Sequence, residues 1–314
     1  MYLSNSIEEF LSITKRDNSC LNNVQEVFTI KEDSNPLAFA ALFYNKDIKY
    51  KNYKKIGQIG FFDSVNDKII TNYLFNSIKN YAKKNNYDFL IGPMEGSTYN
   101  KYRLKVSNNP SFLFDVDNKD YYPRLFKSEG FKVIGSYCST LYKNLNRDYS
   151  RIEKFDKFFK NKGIVIKQLD LANFDCEIKR IFKVCKVSFT NNFLYSPISF
   201  NQFYNMYEPI KKIINPEFIL IAENEKKEPA AFVFCYDDYL NKTAKTLVIK
   251  TLAQIPNPKY KGLGSYLVEL IHKKAFSLGY NQIIHALMHD NNVSKNILKN
   301  GEIYQQYELL GVEL

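Results

Sequence analysis

"NPKYKGLGSYLVELIHKKA", Asn257 to Ala275, carries two glycines one residue apart, Gly262 and Gly264, after a lysine-rich lead-in. Leu263, Tyr266, Leu267, Leu270 and Ile271 then recur at the spacing of one helix face, and Gly279 closes the run. Upstream, Pro256 and Pro258 end "LVIKTLAQI", whose composition predicts a strand. A strand, a glycine turn and a helix put about four unpaired N–H groups and the positive end of a helix dipole at the turn. Glycines let an anion approach that backbone closely. No GKS or GKT follows, so this is not a Walker loop, and Leu267 breaks a full GxGxxG. The turn alone fits a phosphate site or a plain bend.

The elements around it narrow the choice. "GIVIKQL" predicts a strand, and "ANFDCEIKRIFKVCKVSF" and "SFNQFYNMYEPIKKII" two helices, the second cut by Pro209. "EFILIAE" and "PAAFVFCYD" predict a hairpin across "NEKKE". After the glycine turn and its helix come a strand "YNQIIHALM", a short helix "DNNVSKNILKN" and a last strand "EIYQQYELLGVEL". The first half repeats this order. It has strands at "NNVQEVFTI", "PLAFAALFY" and "KIGQIGFF", and a helix capped by Asp63 or Ser64 that runs to Tyr87. Next come a strand "DFLIGP", a loop from Met94 to Asn109, a short helix ending near Gly130 and a strand "VIGSYCSTLY". The shared order indicates a divergent tandem repeat: residues 1–145 and 163–314, joined by a helical linker over 146–162.

Composition bounds the class. The 314 residues are 45% apolar and 25% charged, enough for two cores of ordinary globular type. The N-terminus has Glu8 and Glu9 and no long apolar segment, so the expectation is a cytoplasmic protein that does not enter a membrane. Five scattered cysteines and three histidines argue against a metal site. The net charge is +11, but only six of the 44 basic residues are Arg, the usual reader of guanine edges. Lys, Asn, Ile, Tyr and Phe rise together, as AT-rich codon usage would make them, which argues against a nucleic-acid partner.

The unit around Gly262 resembles motif A of the GNAT (GCN5-related N-acetyltransferase) acyltransferases, Arg/Gln-x-x-Gly-x-Gly/Ala, with Lys259 in the Arg/Gln place. The strand and helix order over about Lys162 to Leu314 is similar too. The resemblance implies an α/β (α+β) fold of two tandem GNAT-like domains, each a mixed, mostly antiparallel sheet flanked by helices. It implies acetyl-CoA as co-substrate, an amine on a small molecule or peptide as acceptor, and a monomer or homodimer. Lys259, Tyr260, Lys261, Gly262, Leu263, Gly264, Ser265 and Tyr266 would hold the pyrophosphate. Leu252, Ala253, Gln254 and Ile255 would run beside the pantetheine, with an oxyanion donor near Leu252 or Ala253.

Downstream, "HDNNVSKNILKNGEIY" resembles motif B, which implies pantetheine contacts from Asn291, Asn292 and Ser294. Leu298 stands where the family has its general-acid Tyr, leaving Tyr304 and Tyr307 as substitutes. His289, next to Asp290, and Glu223 are the candidate bases, since acyl transfer needs a neutral amine. The loop from Met94 and the aromatic run Phe189 to Tyr207 are expected around the acceptor. The first half lacks Gly-x-Gly; Asp63 and Asp67 would face a pyrophosphate there and repel it. Two other readings compete with acyl transfer: a CoA-binding module without activity, and a Fem-type transferase that uses aminoacyl-tRNA.

Overall fold

The computed structural model of the chain describes every residue except 293, 294, 296 and 299. The strands are β1 (Tyr2–Ser4), β2 (Val24–Glu32), β3 (Asn35–Phe43), β4 (Ile56–Ser64), β5 (Phe89–Gly92), β6 (Leu104–Lys105) and β7 (Lys132–Tyr142) in the first half. In the second half they are β8 (Val165–Gln168), β9 (Ile219–Glu223), β10 (Pro229–Asp237), β11 (Thr246–Gln254), β12 (Gln282–His289) and β13 (Glu302–Glu313). The helices are α1 (Ile7–Thr14), α2 (Lys68–Lys84), α3 (Tyr122–Ser128), α4 (Arg151–Lys160), α5 (Phe174–Ser188), α6 (Phe200–Tyr207) and α7 (Leu263–Ser277).

Alternation along the strands sorts the side chains onto two faces. In the first half Phe28, Ile30, Ala40 and Leu42 meet Leu74, Phe75 and Ile78 of α2. Val27, Ala41 and Phe43 face the other way, against Phe10 of α1. In the second half Val233, Leu247 and Ile249 pack on Leu263, Leu267 and Ile271 of α7. Phe232, Phe234 and Val248 pack on Ile178, Ile181 and Phe182 of α5. Burial of these apolar faces stabilises the fold by about 25 cal/mol for each Å² removed from water.

The halves do not keep separate sheets. All thirteen strands join one sheet, in the order β1-β2-β3-β4-β5-β13-β7-β12-β11-β10-β9-β8, with β6 on β13. The repeat predicts β7 beside β5 and β13 beside β12; instead the two last strands are exchanged. β13 pairs with β5 from Leu310↔Gly92 to Glu313↔Phe89. It pairs with β7 from Glu302↔Leu141 to Gly311↔Lys132. β7 in turn pairs with β12 from Ile283↔Tyr142 to His289↔Tyr137.

A second difference concerns the start of α2. Its N-cap is Asp67, not Asp63 or Ser64. A bulge lengthens β4, so that Ser64 is still paired with Ala38 and the helix cannot begin before the next loop. The segment Asn144–Lys162 does contain a helix, α4, and Pro209 does end α6, which continues as a 3-10 turn. Among the described residues no helix is long and apolar enough to cross a membrane.

Candidate functional site

β11 and β12 run parallel from Thr246↔Gln282 to Ile249↔His285, and beyond that point they part. Each strand carries a bulge there. The register of β11 on β10 passes from Cys235↔Ile249 to Phe234↔Thr251, leaving Lys250 as the extra residue. That of β12 on β7 passes from His285↔Thr140 to Met288↔Cys138, and Leu287 takes a φ of 61°. Bulges re-aim side chains at such openings. A cavity of about 690 Å³ fills the gap, lined by Lys250, Thr251, Leu252, Leu287, His289, Asn291 and Asn292. Tyr99, Tyr102 and Arg103 reach it from the loop after β5, and Phe189, Phe193, Tyr195, Phe203 and Tyr207 close the far side. The long loop and the aromatic run therefore do meet at one cleft.

Past the end of β11 the chain turns into α7. Gly262 is the N-cap with φ 89°, a left-handed conformation that favours glycine, and it brings no capping side chain. Gln254 Oε1 accepts the Gly264 N–H at 2.9 Å, so Gln254 braces the loop. Lys259 and Lys261 are exposed, Ser265 is half-buried and Leu263 is in the core. Lys259 N–H donates to Asn257 Oδ1 at 2.9 Å, and Tyr260 OH accepts from Asn224 Nδ2 at 3.4 Å. Tyr266 is buried; its ring stacks on Phe159 of α4 at 5.6 Å and its hydroxyl donates to Asp156 Oδ1 at 3.0 Å. The linker helix thus backs the glycine loop, a role its sequence does not announce.

Leu252, Asn291 and Asn292 line the cleft, whereas Ala253 faces the α5 core and Ile255 packs between the two cores. Ser294 lies outside the described residues.

The candidate acid and base groups separate. His289 lines the cleft between the rings of Tyr137 at 4.9 Å and Phe193 at 5.2 Å. Burial lowers its pKa below 6.5, with Arg103 adding to the effect, so the ring is neutral at pH 7. Its Nδ1 accepts the Asn291 N–H at 3.1 Å, which leaves the proton on Nε2. In this geometry His289 presents a donor rather than a lone pair.

Glu223 is 3% exposed and does not line the cleft. Lys167 Nζ lies 2.7 Å from one carboxylate oxygen and Arg180 binds the other. Burial pushes its pKa up, but the two cations outweigh that and hold it low, the reverse of what a base needs. Tyr304 donates to the Pro110 carbonyl at 2.9 Å. Tyr307, fully buried, donates to Asp115 Oδ1 at 2.7 Å and meets Ser139 Oγ at 3.1 Å. Neither tyrosine lines the cleft, and burial raises both hydroxyl pKa values. The Leu298 carbonyl accepts from Tyr142 OH at 3.1 Å.

Three groups escaped the sequence reading: Arg103 and Lys250, which line the cleft, and Asp115, which lines the cavity next to it. Arg103 is 7% exposed, with its guanidinium over Tyr102 at 4.0 Å and Tyr137 at 4.4 Å. Lys250 is half-buried, and burial followed by Arg103 lowers its pKa to about 8. Asp115 is raised, chiefly by burial. Each comes from a different element, so no spacing in the chain links them. His285 of β12, which lines the cleft, meets His272 of α7 behind it, Nε2 to Nε2 at 2.8 Å. Burial lowers both, His285 to about 3, so the pair is neutral.

The first half keeps the splay and loses the loop. β4 and β5 are parallel from Ile56↔Phe89 to Gln58↔Ile91. Asp67, at the N-cap of α2, accepts the N–H groups of Ile69 at 2.7 Å and Ile70 at 3.2 Å. Asp63 is taken by Lys119 Nζ at 2.7 Å and by Tyr122 OH. The helix end that would receive an anion already holds a carboxylate.

No family model matches the chain, and no curated protein matches it in sequence. Solved structures do match, over the whole chain and at low identity. A GCN5-related N-acetyltransferase from Sphaerobacter thermophilus shares 11% identity at a TM-score of 0.54, over 98% of this chain and 85% of that one. A tandem GNAT protein from the clavulanic acid biosynthesis pathway shares 8% at 0.52, over 92% of this chain and 82% of that one. The glucosamine N-acetyltransferase region of a fungal multi-domain enzyme shares 10% at 0.56, over 99% of this chain and 38% of that one. At these identities the likeness is one of fold: the chain has the GNAT fold.

Proposed function

We propose that the protein is an acyltransferase that moves an acetyl group from acetyl-CoA to an amine, with the cofactor held by the second half. The observation that carries this reading is the glycine loop, whose Gly264 stands against Leu252 of the β11–β12 opening, at an α7 N-terminus where the N-cap brings no side chain and only the neutral Gln254 amide takes one N–H. Its counterpart in the first half is filled by Asp67. The N–H groups of Gly262, Leu263 and Ser265 would take the pyrophosphate, since those of Lys261, Gly264 and Tyr266 are held by the Pro258 carbonyl, Gln254 Oε1 and the Gly262 carbonyl. Lys259 and Lys261 would supply exposed positive charge. Leu252, Asn291 and Asn292 would flank the pantetheine. Acetyl-CoA supplies an activated acyl group.

The residues of the cleft set the acceptor's environment. The cavity wall mixes the rings of Tyr102, Tyr137, Phe189 and Phe193 with polar groups of Arg103, Lys250, His289 and Asn291, so it offers the acceptor both apolar contact and hydrogen-bond partners. His289, neutral and carrying its proton on Nε2, is the donor for a developing negative oxygen. To serve as a base it would first have to release the Asn291 N–H. Glu223 has no place in the chemistry, because both its oxygens are ion-paired outside the cleft.

The test is a calorimetric titration with CoA alongside thiol release from acetyl-CoA across an amine panel. Wild type binds CoA and Gly262→Asp does not; wild type that fails to bind at millimolar CoA ends the proposal. A second reading, CoA binding without catalysis, rests on Leu298 in place of the family's Tyr and on the committed hydroxyls of Tyr304 and Tyr307. Binding without thiol release from any amine would select it.

A further inference from the structure

The cleft does not end at Lys250. A second cavity, of about 700 Å³, lies in the first half and is lined by Arg16, Asp63, Glu95, Asp115 and Asp117. The two cavities share Tyr99, Asn100, Tyr102, Arg103, Lys250 and Leu287 as common lining. Arg103 and Lys250 therefore stand where the opening between β11 and β12 meets the first half.

These two cations are poorly satisfied. Arg103 is 93% buried by its 7% exposure, yet its Nε is buried with no hydrogen-bond partner among the described residues. Its Nη1 makes one long contact, to the Leu287 carbonyl at 3.5 Å. Rings of Tyr102 and Tyr137 lie against the guanidinium plane and fix its direction. Lys250, pushed out by the β11 bulge, has no ion pair within 4.0 Å among the described residues. Asp115 lines the same cavity and its charge acts on Lys250, but it forms no ion pair with either cation among the described residues. Its Oδ1 takes Tyr307 OH and the Val116 N–H, and its Oδ2 is buried without a partner. A buried guanidinium beside a half-buried ammonium, with no bonded carboxylate among the described residues, is costly unless an anion joins them.

We propose that Arg103 and Lys250 form a subsite for a carboxylate carried by the acceptor, so that the acceptor is an amino acid or a peptide presenting its carboxyl end. A guanidinium fixed in its plane offers the fork that a carboxylate matches, and an ammonium adds a point charge. The inference rests on the acyl-transfer reading for the role of the amine, but the anion subsite itself can be tested without it.

Saturation-transfer NMR on the full chain, with no CoA present, would compare N-acetyl amino acids with the matching N-acetyl amino amides. The acids are expected to show saturation and the amides to show about a tenth of it or less, since the charge-assisted pair is lost. Arg103→Gln and Lys250→Met are each expected to remove the preference. Lys250→Met keeps the reading decisive if Arg103→Gln fails to fold, because Lys250 is half-buried and forms no ion pair among the described residues. Equal saturation by acids and amides, or an unchanged preference in Lys250→Met, overturns the proposal. Acid-selective binding in a protein that does not bind CoA would keep the subsite and sink the transferase reading. CoA-dependent acetylation of amines without regard to a carboxylate would do the opposite.

Discussion

Asp67 and Gly262 stand at the same point of the two halves, each as N-cap of the helix that follows the fourth strand of its unit. Asp67 closes its helix end with a carboxylate on two N–H groups, whereas the Gly262 end has no capping carboxylate, only the neutral Gln254 amide oxygen on the Gly264 N–H. Exchange of the two should move both stability and affinity. Gly262→Asp is expected to weaken CoA binding at least tenfold, about 1.4 kcal/mol, by setting a like charge against the pyrophosphate. Asp67→Ala is expected to lower stability by about 1 kcal/mol through loss of the cap, with CoA affinity unchanged. Calorimetric titration and urea denaturation of the two variants check both halves of this prediction. Gly264→Ala is the control: its added Cβ would meet Leu252 at 3.5 Å, ordinary contact, so the loop should keep its shape.

Glu223 is expected to matter for stability and not for turnover. Glu223→Gln leaves Lys167 and Arg180 facing a neutral group. The loss should be about 2 kcal/mol, below that of a fully buried pair because Lys167 is half exposed. Its folded pKa is lowered from 4.5, so the contribution is present above that value. It is lost as the pH falls through the lowered folded pKa. Denaturant midpoints of wild type and Glu223→Gln should therefore converge in acid, while kcat at neutral pH stays the same.

The histidine pair gives a second acid sensitivity with the other chemistry. His272 and His285 are neutral when folded and take protons when unfolded, because burial lowers both from 6.5. Between pH 6.5 and about 3, the folded value for His285, the unfolded chain binds more protons, so stability falls as the pH falls. His285→Gln is expected to flatten the slope of unfolding free energy against pH between 6 and 4, by up to about 1.4 kcal/mol per pH unit. An unchanged slope would mean that the pair is not the source.

Lys250 links pH to the acceptor. With a pKa near 8, it is charged below that value and neutral above it, facing Arg103 and Asp115. KM for a carboxylate-bearing acceptor is expected to rise as the pH passes 8, while KM for acetyl-CoA stays flat. In Lys250→Met the acceptor KM should be high and independent of pH across the same range. Steady-state kinetics from pH 6.5 to 9.5 separate these outcomes.

How far the chain could be read before its structure depends on how local each feature is. The glycine loop, the amphipathic face of α7 and the apolar runs of β2, β3 and β10 are written in consecutive residues, and the elements formed where those patterns fall. Gln254 braces the loop by a hydrogen bond to Gly264 across the turn that follows β11, which no pattern in β11 reveals. Arg103, Asp115 and Lys250 come from three loops or strands that only the sheet brings together. Glu223 drew notice as a strand-end carboxylate, but its partners Lys167 and Arg180 lie 56 and 43 residues away in sequence (223−167 and 223−180). The exchange of β7 and β13 was hidden for a different reason. Either strand alternates in a way that suits either gap, so the pattern sets the face and not the neighbour.

That exchange makes a prediction about folding. β13 lies between β5 and β7, so the last strand of the chain completes the first half's sheet. β7 lies against β12, so the first half supplies the second half's closing strand. Neither half can open without breaking a ladder that the other needs. Tyr307 and Leu309 of β13 are buried beside Phe89 and Ile91 of β5 and Tyr137 of β7, a core layer that belongs to neither half alone. The two halves are therefore expected to melt in one transition, with calorimetric and van't Hoff enthalpies equal. Leu309→Ala, which hollows this shared layer, should cost about 3 kcal/mol and lower that single transition without splitting it. Two resolved transitions in the wild type, or in Leu309→Ala, would show that the halves fold as separate units despite the shared strands.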